Sequence, residues 1–274
     1  MQGGLPVSND EAYSNGEFIA DADAYPPRWR AEAAALRDSL GARAEMALPY
    51  GAGTREVFDL FRPEGDARGT LIFVHGGYWR AFEGRDWSGF AAGGLAAGLN
   101  VAMPTYTLAP EARISRITRE IVAAVTAIAG RVEGPIHLAG HSAGGHLVAR
   151  MLNADALLQT DVAARITRCV PISPLGDLRP LLDTGMNADL ALTPEEAETE
   201  SPALYPRVLD VPVTVWVGGA ERPAFLGQAR GLADAWDVPL VIDGDARTGR
   251  HHFDVIDGLR DPDSPLMRTI LGGP

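Results

Sequence analysis

A serine at position 142 stands in a pattern that could make it a nucleophile. The pattern is GHSAG, which runs from Gly140 to Gly144. In G-x-S-x-G the serine occupies a strained strand-to-helix turn, and small residues two positions away on either side avoid clashes with backbone. The amides that follow begin a helix, where developing negative charge is favoured. The pentapeptide is weak evidence in a chain with 31 glycines, but the strand predicted before it and the helix predicted after it are the required context.

A serine hydroxyl needs a base to remove its proton before it can attack a carbonyl. Four of the six histidines have other predicted places: His75 at a strand end, His137 inside a strand, His141 in the turn itself and His146 on the helix that follows the turn. The remaining pair lies in GRHHFDVID, after the last predicted strand. We expect His252 to be the base, because it directly precedes Phe253, which would fix its ring. His251 is the alternative.

The base in turn needs a carboxylate that orients its ring and stabilises its cation. Glu221 follows the predicted strand PVTVWVGG, so it lies on a loop beyond a strand end and falls between the serine and the histidine in sequence. We expect Glu221 to fill this role. Asp177, Asp243 and Asp245 are the rivals, and a helix-start charge is the structural alternative for Glu221.

The segment VHGGYWR ends another apolar run and could supply backbone donors for an oxyanion. We expect the amides of Gly77 and Tyr78 to act together with the amide of Ala143. Tyr78 and Trp79 would then wall the substrate pocket, although aromatic side chains more often belong to the core.

The elements that must position these residues alternate along the chain. Apolar runs predict an early pair of strands, then strands at GTLIFVHGG, NVAMPTY, PIHLAG, RCVPISP, PVTVWVGG and VPLVID. Helical spacing predicts helices over 26–41, 86–98, 114–131 and PAFLGQARGLADAW. Such alternation indicates an α/β fold with a mainly parallel sheet and helices on both faces, and the early pair forms an antiparallel edge. Ligands then bind beyond the carboxyl ends of the strands.

We expect one domain over residues 1–274. An N-terminal arm and helix occupies residues 1–42, and a small cap-like excursion after the sixth strand occupies residues 175–211, where periodicity is weak and prolines are frequent.

Composition excludes several other kinds of chemistry. The net charge of −12 argues against a nucleic-acid partner, and all 24 basic residues are arginine, which excludes Schiff-base and P-loop lysines. The histidine spacing matches no metal motif, and the one cysteine, Cys169, lies in an apolar run. No window is apolar enough for a membrane span and no secretory start is visible, so we expect a cytoplasmic protein without metal or cofactor.

Together these motifs resemble the α/β-hydrolase superfamily, and within it the kynurenine formamidase (arylformamidase)-like esterase branch. HGGYW stands where the hormone-sensitive-lipase branch has HGGG, and the segments YTLAPEAR, ISPLGDLRPLL, VGGAERPAFLGQAR and HHFDVIDGL carry the rest of the likeness. One departure is Glu221, where these formamidases more usually have aspartate.

The resemblance implies a hydrolase that acts without a cofactor on small acyl esters or on N-formyl aryl amides. Its partners would be small-molecule substrates. The alternative is a catalytically silent hydrolase fold that binds a ligand. Acyl transfer to an acceptor other than water would use the same residues, and the sequence leaves the oligomeric state open.

Overall fold

The computed structural model describes residues 8–156 and 158–273, so residues 1–7 of the predicted arm, Leu157 and Pro274 lie outside it. Its centre is one eight-stranded sheet in the order β1-β2-β4-β3-β5-β6-β7-β8. The strands are β1 Ala44–Pro49, β2 Val57–Phe61, β3 Thr70–Val74, β4 Asn100–Pro104, β5 Ile136–His141, β6 Ile166–Ile172, β7 Val215–Gly218 and β8 Leu240–Asp243. Each overlaps a predicted strand, although β5 ends one residue after its predicted run and β6 begins two residues before its run.

The pairing of the strands divides the sheet into two parts. β1 pairs antiparallel with β2, and β2 pairs antiparallel with β4. All other neighbours are parallel, from β4 through β8. The parallel strands therefore end at the same edge, which is where the predicted chemistry lies. The predicted antiparallel edge is confirmed.

Helices cover both faces of the sheet. They are α1 Asn9–Tyr13, α2 Tyr25–Leu40, α3 Ala92–Ala96, α4 Ile114–Ala129, α5 Ala143–Arg150, α6 Thr160–Ala163, α7 Asn187–Leu190, α8 Pro194–Thr199, α9 Pro223–Trp236 and α10 Pro265–Leu271. In β3, Ile72 and Val74 join the cluster that contains α4, α5 and α9, whereas Leu71 and Phe73 join the cluster that contains α2 and α10. Because side chains alternate across a strand, one apolar run serves two cores.

The helix expected near 86–98 differs in detail from the prediction. A 3-10 segment, Gly84–Ala91, leads into the five-residue helix α3. Close packing accounts for the small residues here, since a Cβ on Gly93 would lie 2.4 Å from the carbonyl oxygen of Leu259.

The segment 175–211 lies between β6 and β7 and contains α7, α8 and three-residue or five-residue 3-10 turns. Its apolar side chains Leu178, Leu181 and Leu190 join the core cluster of α4. Two of its carboxylates reach that face of the sheet: Glu196 pairs with Arg113, and Glu200 pairs with the buried Arg150 at 3.2 Å. The segment is therefore fastened next to the helix that follows Ser142.

No helix in the described ranges has the length and apolar character that crossing a membrane requires.

Candidate active site

Ser142 lies in the turn between β5 and α5, at the carboxyl edge of the sheet. Its backbone has φ 57° and ψ −117°, a conformation that is strained for a residue with a side chain. The turn is held from both sides, because the Ser142 N–H donates to the carbonyl of Ile172 at 2.8 Å and its carbonyl accepts from the N–H of His146 at 3.0 Å. The surrounding structure thus maintains the strain that presents the hydroxyl.

Two glycines allow this turn to close. A Cβ on Gly144 would lie 2.0 Å from the carbonyl oxygen of Val74, and a Cβ on Gly140 would lie 2.2 Å from the carbonyl oxygen of Gly144. Real Cβ atoms do not approach backbone so closely. The chain needs glycine at both positions because the turn packs directly against β3 and against itself.

A buried carboxylate lies behind the imidazole of His252. Glu221 Oε2 accepts from His252 Nδ1 at 2.7 Å, and the two side chains are 0% and 5% exposed. The other oxygen, Oε1, accepts from the hydroxyl of Ser173 and from the N–H of Gly218, the latter at 3.0 Å. The carboxylate is therefore held in place, and Nε2 is the ring nitrogen left free for a reacting group.

Three of the four rival residues have other partners. His251 Nε2 lies 2.9 Å from the hydroxyl of Tyr25. Asp177 pairs with Arg179, whose guanidinium holds the pKa of that carboxyl below its ordinary range even though partial burial opposes the shift. Asp245 accepts from backbone N–H groups in its own loop. Within residues 8–156 and 158–273, Glu221 is the one carboxylate hydrogen-bonded to His252.

Ser142 and His252 line the same cavity, whose volume is about 1080 Å³. No hydrogen bond joins their side chains in the described structure. Hydrogen bonds between catalytic groups are often long in the absence of substrate and shorten when it binds. Both groups are almost fully buried, at 2% and 4% exposure, so a ligand in the cavity would meet them away from bulk water.

His141, which precedes the serine, connects the turn to the histidine loop. Its Nε2–H donates to the backbone carbonyl of His252 at 2.9 Å. Burial first, and then the neighbouring His252, holds the pKa of His141 well below its ordinary value. His141 is therefore neutral at physiological pH and acts as a hydrogen-bond donor between two segments that are distant in sequence.

The loop after β3 approaches the serine with unused backbone donors. Gly77 and Tyr78 have φ values of 110° and 51°, and Gly76 comes so close to the turn that a Cβ there would lie 3.1 Å from Ser142 Cβ. The N–H groups of Gly77, Tyr78 and Ala143 donate to no acceptor within the described residues. Ala143 opens α5, where the first N–H groups of a helix have no partner within the helix.

The two aromatic residues of this loop have different positions. Tyr78 lines the cavity, and its hydroxyl donates to the carbonyl of Tyr13 at 2.6 Å. Trp79 is 0% exposed, packs edge-on against His146 and does not line the cavity. The expectation that Trp79 walls the pocket is corrected: the backbone turns through positive φ at Tyr78 and again at Trp79, which carries the indole into the core.

Sequence reasoning missed two contributions to the site. Ser173, whose hydroxyl donates to Glu221, follows β6 in a strained conformation with φ 48°. Its place after a strand end was the available signal. Most residues of 8–18 also line the cavity, and we call this stretch the entrance segment. Nothing in its local sequence indicates that it folds over Ser142.

The described residues contain no group of three or more His, Cys, Asp or Glu side chains that could hold a metal ion. The chemistry available at this site is that of a hydroxyl, an imidazole, a carboxylate and backbone amides.

Comparisons with known proteins agree with this architecture. A family profile described as alpha/beta hydrolase fold matches residues 71–225. Kynurenine formamidase of Danio rerio is 31% identical over 239 residues, which are 82% of this chain and 80% of the relative. A crystal structure of a candidate thioesterase from Silicibacter sp. TM1040 is 53% identical, has a TM-score of 0.92, and covers 98% of this chain and 100% of its own. Esterase B from Lactobacillus rhamnosis, 18% identical, matches over 91% of this chain and 92% of its own with a TM-score of 0.63 and shares the fold.

Proposed function

We propose that this chain cleaves small acyl esters or N-formyl aryl amides through an acyl-enzyme on Ser142. The chain belongs to the α/β-hydrolase family and is a hydrolytic enzyme. One observation carries the proposal. His252, whose Nδ1 lies 2.7 Å from Glu221 Oε2, lines the same cavity as the strained Ser142.

Each group has a defined task in the proposed reaction. His252 Nε2 takes the proton from the Ser142 hydroxyl as its oxygen attacks the carbonyl carbon. Glu221 keeps the proton on Nδ1 and stabilises the imidazolium. The amides of Gly77, Tyr78 and Ala143 donate to the carbonyl oxygen as it becomes an oxyanion, and each such donor is worth about 3–4 kcal/mol.

The tetrahedral intermediate then collapses. The bond to the leaving group breaks, and the proton on His252 Nε2 passes to the departing oxygen or nitrogen. The acyl group remains on Ser142. Water attacks the acyl-enzyme with His252 as the base, which releases the acid and regenerates the hydroxyl.

The choice of substrates follows from the site and from the relatives. The cavity of about 1080 Å³ has room for an aryl leaving group, and Tyr78 and Phe253 lie on its wall next to Ser142 and His252. The kynurenine formamidase relative supports an N-formyl aryl amide, and the candidate thioesterase adds thioesters to the acyl donors to be tested.

In the alternative, a catalytically silent binding protein, one of the residues needed for catalysis is expected to be absent. Against this alternative, Ser142 and His252 line one cavity, the Glu221 carboxylate is hydrogen-bonded to His252, and curated relatives are enzymes.

The test is side-by-side turnover of N-formyl-L-kynurenine, short p-nitrophenyl esters and an acetyl thioester by the wild type and by Ser142→Ala. We expect Ser142-dependent hydrolysis, and the order of kcat/KM assigns the substrate class. Ester efficiency comparable or superior to that for the formamide removes the formamidase assignment. Full activity in Ser142→Ala overturns the proposed mechanism.

A further inference from the structure

The wall of the cavity at its solvent side is acidic. The entrance segment contributes the carboxylates of Asp10, Glu11 and Glu17, and Asp189 of the 175–211 segment adds another. Of the lining residues in the described part of the chain, Arg80 alone carries a guanidinium. A substrate that enters this cavity therefore passes a rim on which negative charge exceeds positive charge.

Ion pairing removes part of this charge but not all of it. Arg80 pairs with Asp189 at 3.0 Å, and Arg222 pairs with Glu11 at 3.6 Å. Among residues 8–156 and 158–273, Asp10 and Glu17 form no ion pair. Asp10 accepts a hydrogen bond from the N–H of Gly185 at 2.6 Å, which fixes its side chain without neutralising it. Two uncompensated carboxylates therefore remain at the rim.

Asn15 adds a neutral acceptor deeper in the same wall. It lines the cavity and is 7% exposed, and its side-chain oxygen has no hydrogen-bond partner in the described structure. Although Asn15 precedes a 3-10 turn, its side chain makes no capping hydrogen bond to that turn. A buried amide oxygen without a partner costs stability unless something supplies a donor. A hydrogen-bond donor on a bound ligand would supply it.

This wall is fixed close to the reacting groups. The carbonyl of Tyr13 accepts from the hydroxyl of Tyr78 at 2.6 Å, and the hydroxyl of Tyr13 accepts from the side-chain amide of Gln228 at 2.8 Å. Tyr13 is only 5% exposed. The entrance segment lines the same cavity as Ser142, and its carboxylate-bearing residues Asp10, Glu11 and Glu17 are exposed. The segment therefore lies between the serine and solvent, the direction in which a leaving group must depart while the acyl group stays on the serine.

We propose that the entrance segment is the leaving-group subsite and that it selects leaving groups that carry hydrogen-bond donors and a neutral or positive charge. Asn15 accepts from the donor, and Asp10 and Glu17 favour an ammonium and repel a carboxylate or phosphate. The proposal rests on the proposed hydrolase function, and it identifies the chemistry of the departing half of the substrate.

The test uses three phenyl acetates whose para substituents are 2-aminoethyl, 2-hydroxyethyl and carboxymethyl. Their phenols are similar leaving groups, so the intrinsic reactivity of the ester is nearly constant. We expect kcat/KM to fall in the order ammonium, hydroxyl, carboxylate, with about a tenfold ratio between the first and the last at low salt, and we expect the ratio to shrink as salt is added.

Two variants separate the rim charges from the buried acceptor. Asp10→Asn/Glu17→Gln should lower the ammonium-to-carboxylate ratio at least about threefold, since both charges are lost. Glu64→Gln/Asp66→Asn removes the same charge from a loop that does not line the cavity, and it should leave the ratio unchanged. Asn15→Ala should raise KM for the aminoethyl ester with a smaller change in kcat.

The outcomes distinguish this inference from the proposed function. Equal kcat/KM for all three esters, each dependent on Ser142, overturns the charge selection and leaves the hydrolase mechanism standing. Equal effects of the two double variants also overturn it, because the ratio then follows net charge and not the rim. Absence of Ser142-dependent hydrolysis overturns both.

Discussion

The inner end of the cavity and its entrance are built in different ways. At the inner end, Ser142, Glu221 and His252 all follow strand ends. A strained turn and glycines without room for a Cβ hold the serine, and one backbone and two side-chain donors hold the carboxylate. At the entrance, residues 8–18 reach the cavity through side-chain contacts with segments far away in sequence, such as Tyr13 with Tyr78. The inner end should therefore tolerate few substitutions, whereas changes at the entrance should alter substrate preference.

The largest effect on catalysis without loss of the fold is expected for Glu221→Gln. The amide fits the same space but no longer holds the proton on His252 Nδ1, so kcat should fall by about 10⁴-fold. Asp177→Asn is the matched control, since Asp177 pairs with Arg179 and not with the histidine, and its kcat should stay close to wild type. Steady-state kinetics of both variants decide between the two acids. A large loss in Asp177→Asn with a small one in Glu221→Gln would exchange their roles.

The glycines of the turn provide a second contrast. Gly144→Ala places a Cβ 2.0 Å from the carbonyl oxygen of Val74, so we expect loss of activity together with destabilisation of about 3 kcal/mol or more. Gly227→Ala places the same methyl group in the exposed middle of α9, with no atom within 4 Å, and should raise the free energy of unfolding by up to about 1 kcal/mol. Chemical denaturation measures both. Similar effects of the two substitutions would contradict the account of the turn.

Buried histidines should make the inner end sensitive to acid, and the entrance segment has none. Burial lowers the pKa of His146 to about 3 and that of His75 to about 4, whereas the unfolded chain titrates near the ordinary 6.5. The unfolded state thus binds more protons below pH 6.5. The free energy of unfolding is therefore unaffected by these histidines above pH 6.5. It falls by about 1.4 kcal/mol per pH unit for each histidine as the pH drops from 6.5 towards the folded-state pKa values.

Denaturation of the wild type and of His146→Gln at pH 6.5 and pH 5 checks this. The glutamine can keep the donor to the Glu200 carbonyl, which His146 Nε2 contacts at 2.6 Å. Glutamine does not titrate, so between pH 6.5 and pH 5 the free energy of unfolding of the variant should fall by about 2 kcal/mol less than that of the wild type. An identical pH dependence in both proteins would show that His146 is not held neutral.

The smallest effect is expected at the entrance. Tyr78→Phe removes the hydrogen bond to the Tyr13 carbonyl, which contributes about 1 kcal/mol, and should raise KM severalfold with little change in kcat. Tyr50→Phe removes a similar bond, to the carbonyl of Thr105 at 2.7 Å, at a residue that does not line the cavity, and KM should not change. A fall in kcat for Tyr78→Phe with KM unchanged would instead place the hydroxyl in the chemical step.

The same difference between the two ends explains what could be predicted from the sequence. All strands and the place of Ser142 in a strand-to-helix turn follow from local patterns, because apolar runs and a glycine-flanked serine are read within a few residues. Glu221 is predicted from its place after a strand end, and the structure brings its carboxylate to His252. The sequence predicts Trp79 at the pocket beside Tyr78, but successive positive φ values turn its side chain into the core. The role of residues 8–18 depends on contacts across 65 residues and more, which leave no local pattern.

The most direct test of the central claim is covalent labelling with a fluorophosphonate, which reacts far faster with a serine that a base has activated than with an ordinary hydroxyl. The account predicts a single adduct that mass spectrometry locates on Ser142 and that forms far more slowly in Glu221→Gln and in His252→Gln. Failure of the folded wild type to react, or an adduct on another residue, would contradict it.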